Sequence, residues 1–230
     1  MKEKYQKIKK IAEKELAKAD AVHDINHVMR VYHWAIKIAK SEKNIDLDVL
    51  IPAILLHDIG HPAEQKDKSR KTWHVKVSAK MAQKILKNFN YSQEKINKIN
   101  HCILTHSYRK IEPRMKPRTK EAKILSDADK LDALGAIGVA RSYVWVGKNN
   151  AKIYTDISLR DYIKDNLTDG KRVGRIKDRT KHSPIIEYKI KLKYLPGKLY
   201  TKKAKKMAKE RLTYMKSFFD RLKKEIAGKI

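Results

Sequence analysis

The stretch L-L-H-D-I-G-H-P at Leu55–Pro62 sets an imidazole and a carboxylate side by side at the end of an apolar run, and His61 follows three residues after the acid. A carboxylate at the edge of a core is costly unless a cation or a metal meets it. Histidine has an ordinary explanation there, because imidazole interacts well with the last carbonyls of a helix; aspartate has the wrong sign for that end. Two more clusters share this character. H-D-I-N-H places His23 and His27 four residues apart, on one face wherever helical spacing applies; solvated histidines at a capped helix start are the plain alternative. S-D-A-D-K-L-D-A-L-G-A-I-G, residues 126–138, puts Asp129 and Asp132 one turn apart among Ala, Leu, Ile and Gly, with Ser126 or Asp127 as a helix cap. Something positive should meet at least one of these acids, and Lys130 points about 100° away from its neighbours. A metal shared by two imidazoles and two carboxylates answers all three clusters. Such an N/O set suits Mn²⁺, Fe²⁺, Co²⁺, Ni²⁺ or Zn²⁺ better than Ca²⁺, with Mg²⁺ as a further option. A metal of this kind activates water and polarises a phosphoryl group, so phosphate hydrolysis is the matching chemistry.

Positioning these groups falls to helices. Apolar residues recur at helical spacing over 3–19, over 25–41, in a helix capped by Asp46, over 74–87 and in one that Ser92 caps through Leu104. Pro52 is expected in an early turn, while Gly60 and Pro62 mark a stop. Residues 107–120 read as a loop, 121–146 as one apolar helix, and 201–227 as a long C-terminal helix. The stretch 147–183 is irregular, with a short helix at 157–165. Only I-I-E-Y-K-I-K-L-K at 185–193 alternates like a strand, which leaves a small irregular or hairpin insertion near 147–193 as an option. The reading is all-α: one domain over 1–230, with a motif-bearing core at about 20–146 and the C-terminal helix packing on it.

Composition narrows the setting. The 230 residues are 41% hydrophobic, enough for a sizeable core, and the single cysteine excludes an internal disulfide. No run approaches the roughly 18 apolar residues of a membrane span, and the N-terminus has no signal-type apolar segment, so a cytoplasmic, soluble protein is expected. Fifty-five Lys and Arg against 26 Asp and Glu give +29. That field attracts phosphates, from mononucleotides to nucleic acid. The lysines are spread throughout rather than gathered beside stacking aromatics, so solvated helix faces explain them as well.

The ordered set H…HD…D, with its first histidine in H-V-M-R-V, resembles the HD superfamily of metal-dependent phosphohydrolases. It is most similar to small HD-domain proteins of the nucleoside triphosphate pyrophosphohydrolase-like branch. The supporting stretches are H-D-I-N-H-V-M-R-V, L-L-H-D-I-G, E-A-K-I-L-S-D-A-D-K-L-D-A-L-G-A-I-G-V-A-R and T-K-K-A-K-K-M-A-K-E-R-L-T-Y-M-K-S-F-F, from about residue 20 to 225. The resemblance implies an HD-domain helical bundle and His27, His57, Asp58 and Asp129 as metal ligands, with Asp127 the rival for the last place. It also implies a second metal on His74 and His106, bridged by Asp58 about 3.5–4 Å from the first. The chain departs from the pattern where nucleotidases of the superfamily often carry glutamate, three positions after the HD aspartate. His61 stands there, with Glu64 one turn later, and either can relay a proton for a metal-assisted attack involving Asp58.

His23, Arg109 and Lys130 are candidates for holding substrate phosphate, with Lys110, Arg114, Lys116 and Arg118 in the same basic loop as Arg109 and Tyr108 as a base-stacking or packing residue. The expected activity is hydrolysis of a phosphate ester or anhydride of a small nucleotide, including triphosphate to monophosphate plus pyrophosphate. A nucleotide monophosphatase, a phosphodiesterase or a nuclease would use nearly the same ligands. A different class of answer is a basic nucleic-acid-binding protein on a degenerate scaffold. No membrane partner is expected, and oligomeric state is open.

Overall fold

The computed structural model describes residues 2–69, 71–107, 115–172 and 174–230. The chain is all-α, and the described residues form no sheet; a lone antiparallel bridge joins Leu167 and Ile176. None of the described helices is long and apolar enough to cross a membrane. The helices are α1 (Glu3–Leu16), α2 (Ile25–Ala39), α3 (Leu47–Leu56), α4 (His61–Lys66), α5 (His74–Asn88), α6 (Gln93–Thr105), α7 (Lys120–Leu131), α8 (Gly135–Lys148), α9 (Leu159–Asn166), α10 (Pro184–Ile190) and α11 (Lys202–Ile226). Two compact units contain them: residues 1–131 with 199–204, and residues 132–198 with 205–230.

The first unit is built around α3. Every residue of this helix from Val49 to Leu56 is buried, as expected of a helix apolar on all sides. Burying each Leu or Ile there contributes about 1.5–3 kcal/mol. Helices α1, α2, α6 and α7 pack against α3, and α5 packs on α6. The caps follow the sequence: Asp46 accepts from the Asp48 amide, and Ser92 accepts from that of Lys95. Pro52 falls in the second turn, deeper than expected, and deletes the bond that would run to the Asp48 carbonyl. The stop expected at Gly60 and Pro62 is instead a start: α3 has already ended at Leu56 with His57 as its C-cap, Gly60 is the N-cap of α4, and proline at an N-terminal position of α4 needs no amide hydrogen.

Two expectations change in the second unit and at its border. The single helix expected over 121–146 is broken at residues 132–134, and α8 restarts at Gly135, whose φ of +75° disfavours a side-chain-bearing residue. The alternating 185–193 stretch is helical: α10 runs over Pro184–Ile190, followed by a 3-10 turn at Leu192–Lys198. Pro184 presets the first turn, and Ile186 and Ile190 bury against Tyr162 and Leu167, so tertiary packing overrides the period-two pattern. The short helix expected at 157–165 is α9.

Candidate metal centre

The candidate site lies within the first unit, where helix ends converge. His27 is the third residue of α2, and the N-cap Asp24 accepts its amide at 2.9 Å. His57 and His106 use one device at the C-terminal ends of α3 and α6. Each ring donates Nδ1–H to the carbonyl three residues back, Ile54 and Ile103, at 2.7 Å. The ordinary role of a C-terminal histidine is therefore filled by Nδ1. With that tautomer fixed, Nε2 of each ring carries a lone pair turned toward Asp58.

Asp58 is the meeting point. Its Oδ2 lies 3.4 Å from His27 Nε2, 3.5 Å from His57 Nε2 and 3.4 Å from His61 Nε2. Its Oδ1 lies 3.3 Å from His106 Nε2 and 3.7 Å from His74 Nε2. The approach of α5 depends on Gly60. A Cβ there would stand 2.5 Å from the His74 carbonyl oxygen and 2.7 Å from the Ser78 nitrogen, and the Gly60 amide donates to Ser78 Oγ at 2.8 Å. Glu64 holds His74 from behind, accepting from its Nδ1 at 2.5 Å. It stands 3.8 Å from His61 Nδ1.

The three acids of the 126–138 stretch have three fates. Asp127, together with Ser126, sits inside α7 rather than capping it. The Asp127 carboxylate accepts from the amides of Tyr200 and Thr201 at 2.9 and 2.8 Å and from the Thr201 hydroxyl at 2.8 Å, just ahead of α11. Asp132, fully buried, is met by Arg141 at 2.7 Å. Asp129 is the acid that reaches the imidazoles, with Oδ1 3.5 Å from His27 Nε2.

The other candidates are placed as follows. The Lys130 ammonium donates to the His106 carbonyl at 2.9 Å and to Ser126, behind the histidines. His23 donates through Nδ1 to Asp20 at 2.8 Å and stacks on His61 with ring centroids 4.0 Å apart. Arg109, with Tyr108, Lys110 and Arg114, lies outside the described residues. Asp20 and Ser78 are supporting residues that the sequence reading passed over; D-x-x-H, with the acid three residues before His23, was the available signal.

Burial pushes the His57 ring down to about 4 against the pull of Asp58, and it also takes His61 well below the usual imidazole range. Burial would raise Asp58 and Asp129, but the surrounding imidazoles outweigh it and hold both carboxyls low. Burial likewise opposes protonation of His74, yet its hydrogen bond to Glu64 raises it overall. At neutral pH the centre thus offers two ionised carboxylates and the neutral rings of His57 and His61, the forms that bind metal.

The spacing fits an ion. Ligand atoms about 2.1 Å from a tetrahedral metal lie about 3.4 Å apart. The convergent contacts of His27, His57, Asp58 and Asp129 are 3.4–3.5 Å, too long for good hydrogen bonds. Asp58 Oδ1 is buried without a hydrogen-bond partner, a state that an ion would relieve. Among the described residues, three groups could hold a metal ion: His27, His57 and Asp129; His57, Asp58 and His106; and Asp58, His61 and His74.

Comparison with known proteins gives a consistent answer. The HD domain model matches residues 24–134. YpgQ of Bacillus subtilis (strain 168) is 29% identical over 207 residues, covering 90% of this chain and 85% of that protein. The crystal structure of Bacillus subtilis YpgQ in complex with ADP matches with a TM-score of 0.69 at 24% identity, covering 98% of this chain and all of that one. A Lactobacillus plantarum protein matches with a TM-score of 0.73 at 25% identity, over 99% of each chain. An HD-superfamily hydrolase from Bacillus thuringiensis matches with a TM-score of 0.68 at 25% identity, over 98% of this chain and 97% of that one. The chain therefore carries an HD domain, with the fold of the HD-superfamily metal-dependent phosphohydrolases, and its His/Asp clusters support hydrolase activity.

Proposed function

We propose that this protein hydrolyses a phosphate ester or anhydride of a small nucleotide, with conversion of a nucleoside triphosphate to monophosphate and pyrophosphate as the leading form. The observation that carries the reading is Asp58: a buried carboxylate within 3.7 Å of five imidazole nitrogens, with one oxygen lacking a hydrogen-bond partner. The ADP in the structure of the related YpgQ supports a nucleotide.

His27, His57, Asp58 and Asp129 would hold the metal, Mn²⁺, Ni²⁺, Co²⁺, Fe²⁺ or Zn²⁺ ahead of Mg²⁺, and His74 and His106 would serve a second ion that shares Asp58. When bound, the metal supplies Lewis acidity toward phosphate oxygens and lowers the pKa of water. The Nδ1 bonds of His57 and His106 fix their Nε2 atoms on the reacting side. His61, neutral because of its burial, is the group placed to take a proton beside Asp58. Glu64 acts through His74, holding that ring in register. Arg109 remains the phosphate-side candidate, while Lys130 braces the His106 carbonyl.

The test is metal-supplemented hydrolysis of nucleoside triphosphates, monophosphates, cyclic nucleotides and short RNA, comparing wild type with Asp58→Ala and scoring phosphate and pyrophosphate separately. Metal-dependent turnover lost in the variant supports the site, and the product identifies the bond. No turnover with any metal, together with salt-sensitive RNA binding that Asp58→Ala leaves intact, would overturn the reading in favour of the basic surface.

A further inference from the structure

His61 is held differently from His57, His74 and His106, its neighbours around Asp58. His57, His106 and His74 each have Nδ1 on an oxygen within 2.7 Å. The nearest carboxylate oxygen to His61 Nδ1 is that of Glu64 at 3.8 Å, beyond hydrogen-bond reach, and its Nε2 stands 3.4 Å from Asp58. Its two ring faces are engaged instead. His23 stacks on His61 with centroids 4.0 Å apart and planes 22° apart, and His74 stacks with 4.0 Å and 13°.

Each outer ring is tethered to a carboxylate. Glu64 takes Nδ1–H of His74, and Asp20 takes Nδ1–H of His23 at 2.8 Å. Asp20 also accepts the amides of Val22 and His23 at 3.2 and 3.1 Å, which fixes the turn leading into α2. Its own amide donates to Gln65 Oε1 at 3.2 Å, tying the turn to the helix that His61 begins. Offset or parallel contact between planar rings at this spacing contributes modestly in energy but strongly in geometry.

We propose that the Asp20–His23 pair is a positioning device: it closes the open face of His61 and sets the direction of its Nε2 toward Asp58. His23 then acts through His61, not as an independent phosphate contact. This rests on the reading of Asp58 and His61 as part of the reacting centre, and the experiment separates the two.

The first arm uses metal-free protein labelled with ¹⁵N, so that turnover plays no part. Ring resonances of His61 carry the shielding of both stacked neighbours. His23→Ala and Asp20→Ala should move them toward the values of an unstacked imidazole, and His23→Phe should restore most of the shielding. Unchanged His61 resonances in His23→Ala would overturn the proposal whatever the enzyme does.

The second arm measures turnover in a double-mutant cycle. Misplacing a reacting group by about 1 Å costs on the order of a hundredfold, so His23→Ala should lower kcat by about ten- to a hundredfold with KM little changed. His23→Phe should recover most of that loss, and His23→Ala should add nothing in the His61→Ala background. An additive cycle, or a rise in KM alone that phenylalanine fails to rescue, would make His23 a direct substrate contact and refute positioning. If His61→Ala keeps full turnover, the role of His61 as proton acceptor fails, while the resonance arm still decides whether His23 orients it.

Discussion

Asp127 and Asp129 stand two residues apart on α7, and exchanging either for asparagine should have opposite consequences. Asp127 is fully buried and takes three hydrogen bonds from the backbone and side chain that start α11. Hydrogen bonds to a charged acceptor contribute about 1.5–3 kcal/mol each, but burial raises this carboxyl, which offsets part of the total. Alanine, which strands all three donors, should cost about 3–4 kcal/mol; asparagine keeps one carbonyl oxygen and should cost about 1–2 kcal/mol. For a chain of this size, each kcal/mol moves the melting midpoint by about 2–4 °C, so Asp127→Ala should melt about 6–16 °C lower. Metal at roughly 100 times its Kd should add about 2.7 kcal/mol to any variant that retains the site. Asp127→Asn should keep that gain, and Asp129→Asn should lose most of it. Thermal melts with and without Mn²⁺ or Zn²⁺, beside calorimetric titration of the apoprotein, measure both effects. If Asp127→Asn abolishes the metal-dependent gain and leaves the metal-free midpoint unchanged, the two acids have been assigned the wrong way round.

Three further outcomes follow from the geometry. Asp48 takes hydrogen bonds from Lys4, Tyr5, Tyr91 and Lys95; burial alone would raise its pKa, but these donors lower it from 3.8 to about 2. Its contribution is therefore present above the unfolded pKa and lost as pH falls through about 2; after discounting for solvent screening it should be about 1 kcal/mol, so urea melts of wild type and Asp48→Asn should converge between pH 5 and pH 2. A difference that stays constant over that range would contradict the assignment. Gly60→Ala places a methyl 2.5 Å from a backbone oxygen of α5, and should cost about 2–3 kcal/mol and weaken metal affinity by displacing His74; a melt and an affinity equal to wild type would show that α5 shifts freely. Arg141→Met leaves the buried Asp132 without its 2.7 Å partner and should destabilise by about 3 kcal/mol, tempered by the nearby Arg211; chemical denaturation reads this directly, and a loss below 1 kcal/mol would mean that Arg211 suffices.

The features legible in the sequence were local ones. The helices of the first unit follow the 3.6-residue apolar period, and Asp46 and Ser92 cap them because capping depends on a side chain and an amide two or three residues away. The HD pair at the end of an apolar helix was legible for the same reason: an aspartate beside helix-terminal carbonyls is a local contradiction. Less local features were misread. The break at 132–134 hinges on a left-handed Gly135, which a run of Ala, Leu and Ile conceals. The 185–193 stretch alternates like a strand yet is helical, because the buried face of α10 is chosen by Tyr162 and Leu167, about 20 residues upstream.

From residue types and order alone came an all-α chain with an HD-type set of histidines and acids, and the expectation of a metal among them. Only the tertiary structure decided which acid does what. Asp127 and Asp129 lie on α7 and Asp132 just past its end, and each is met by a different partner: the start of α11, His27 and Arg141. The same holds for His61, whose engaged ring faces belong to His23 and His74, 38 and 13 positions away in the sequence. A side chain's type is a local property, but its charge state and direction are set by whatever the fold brings within about 4 Å, and that pairing is long-range.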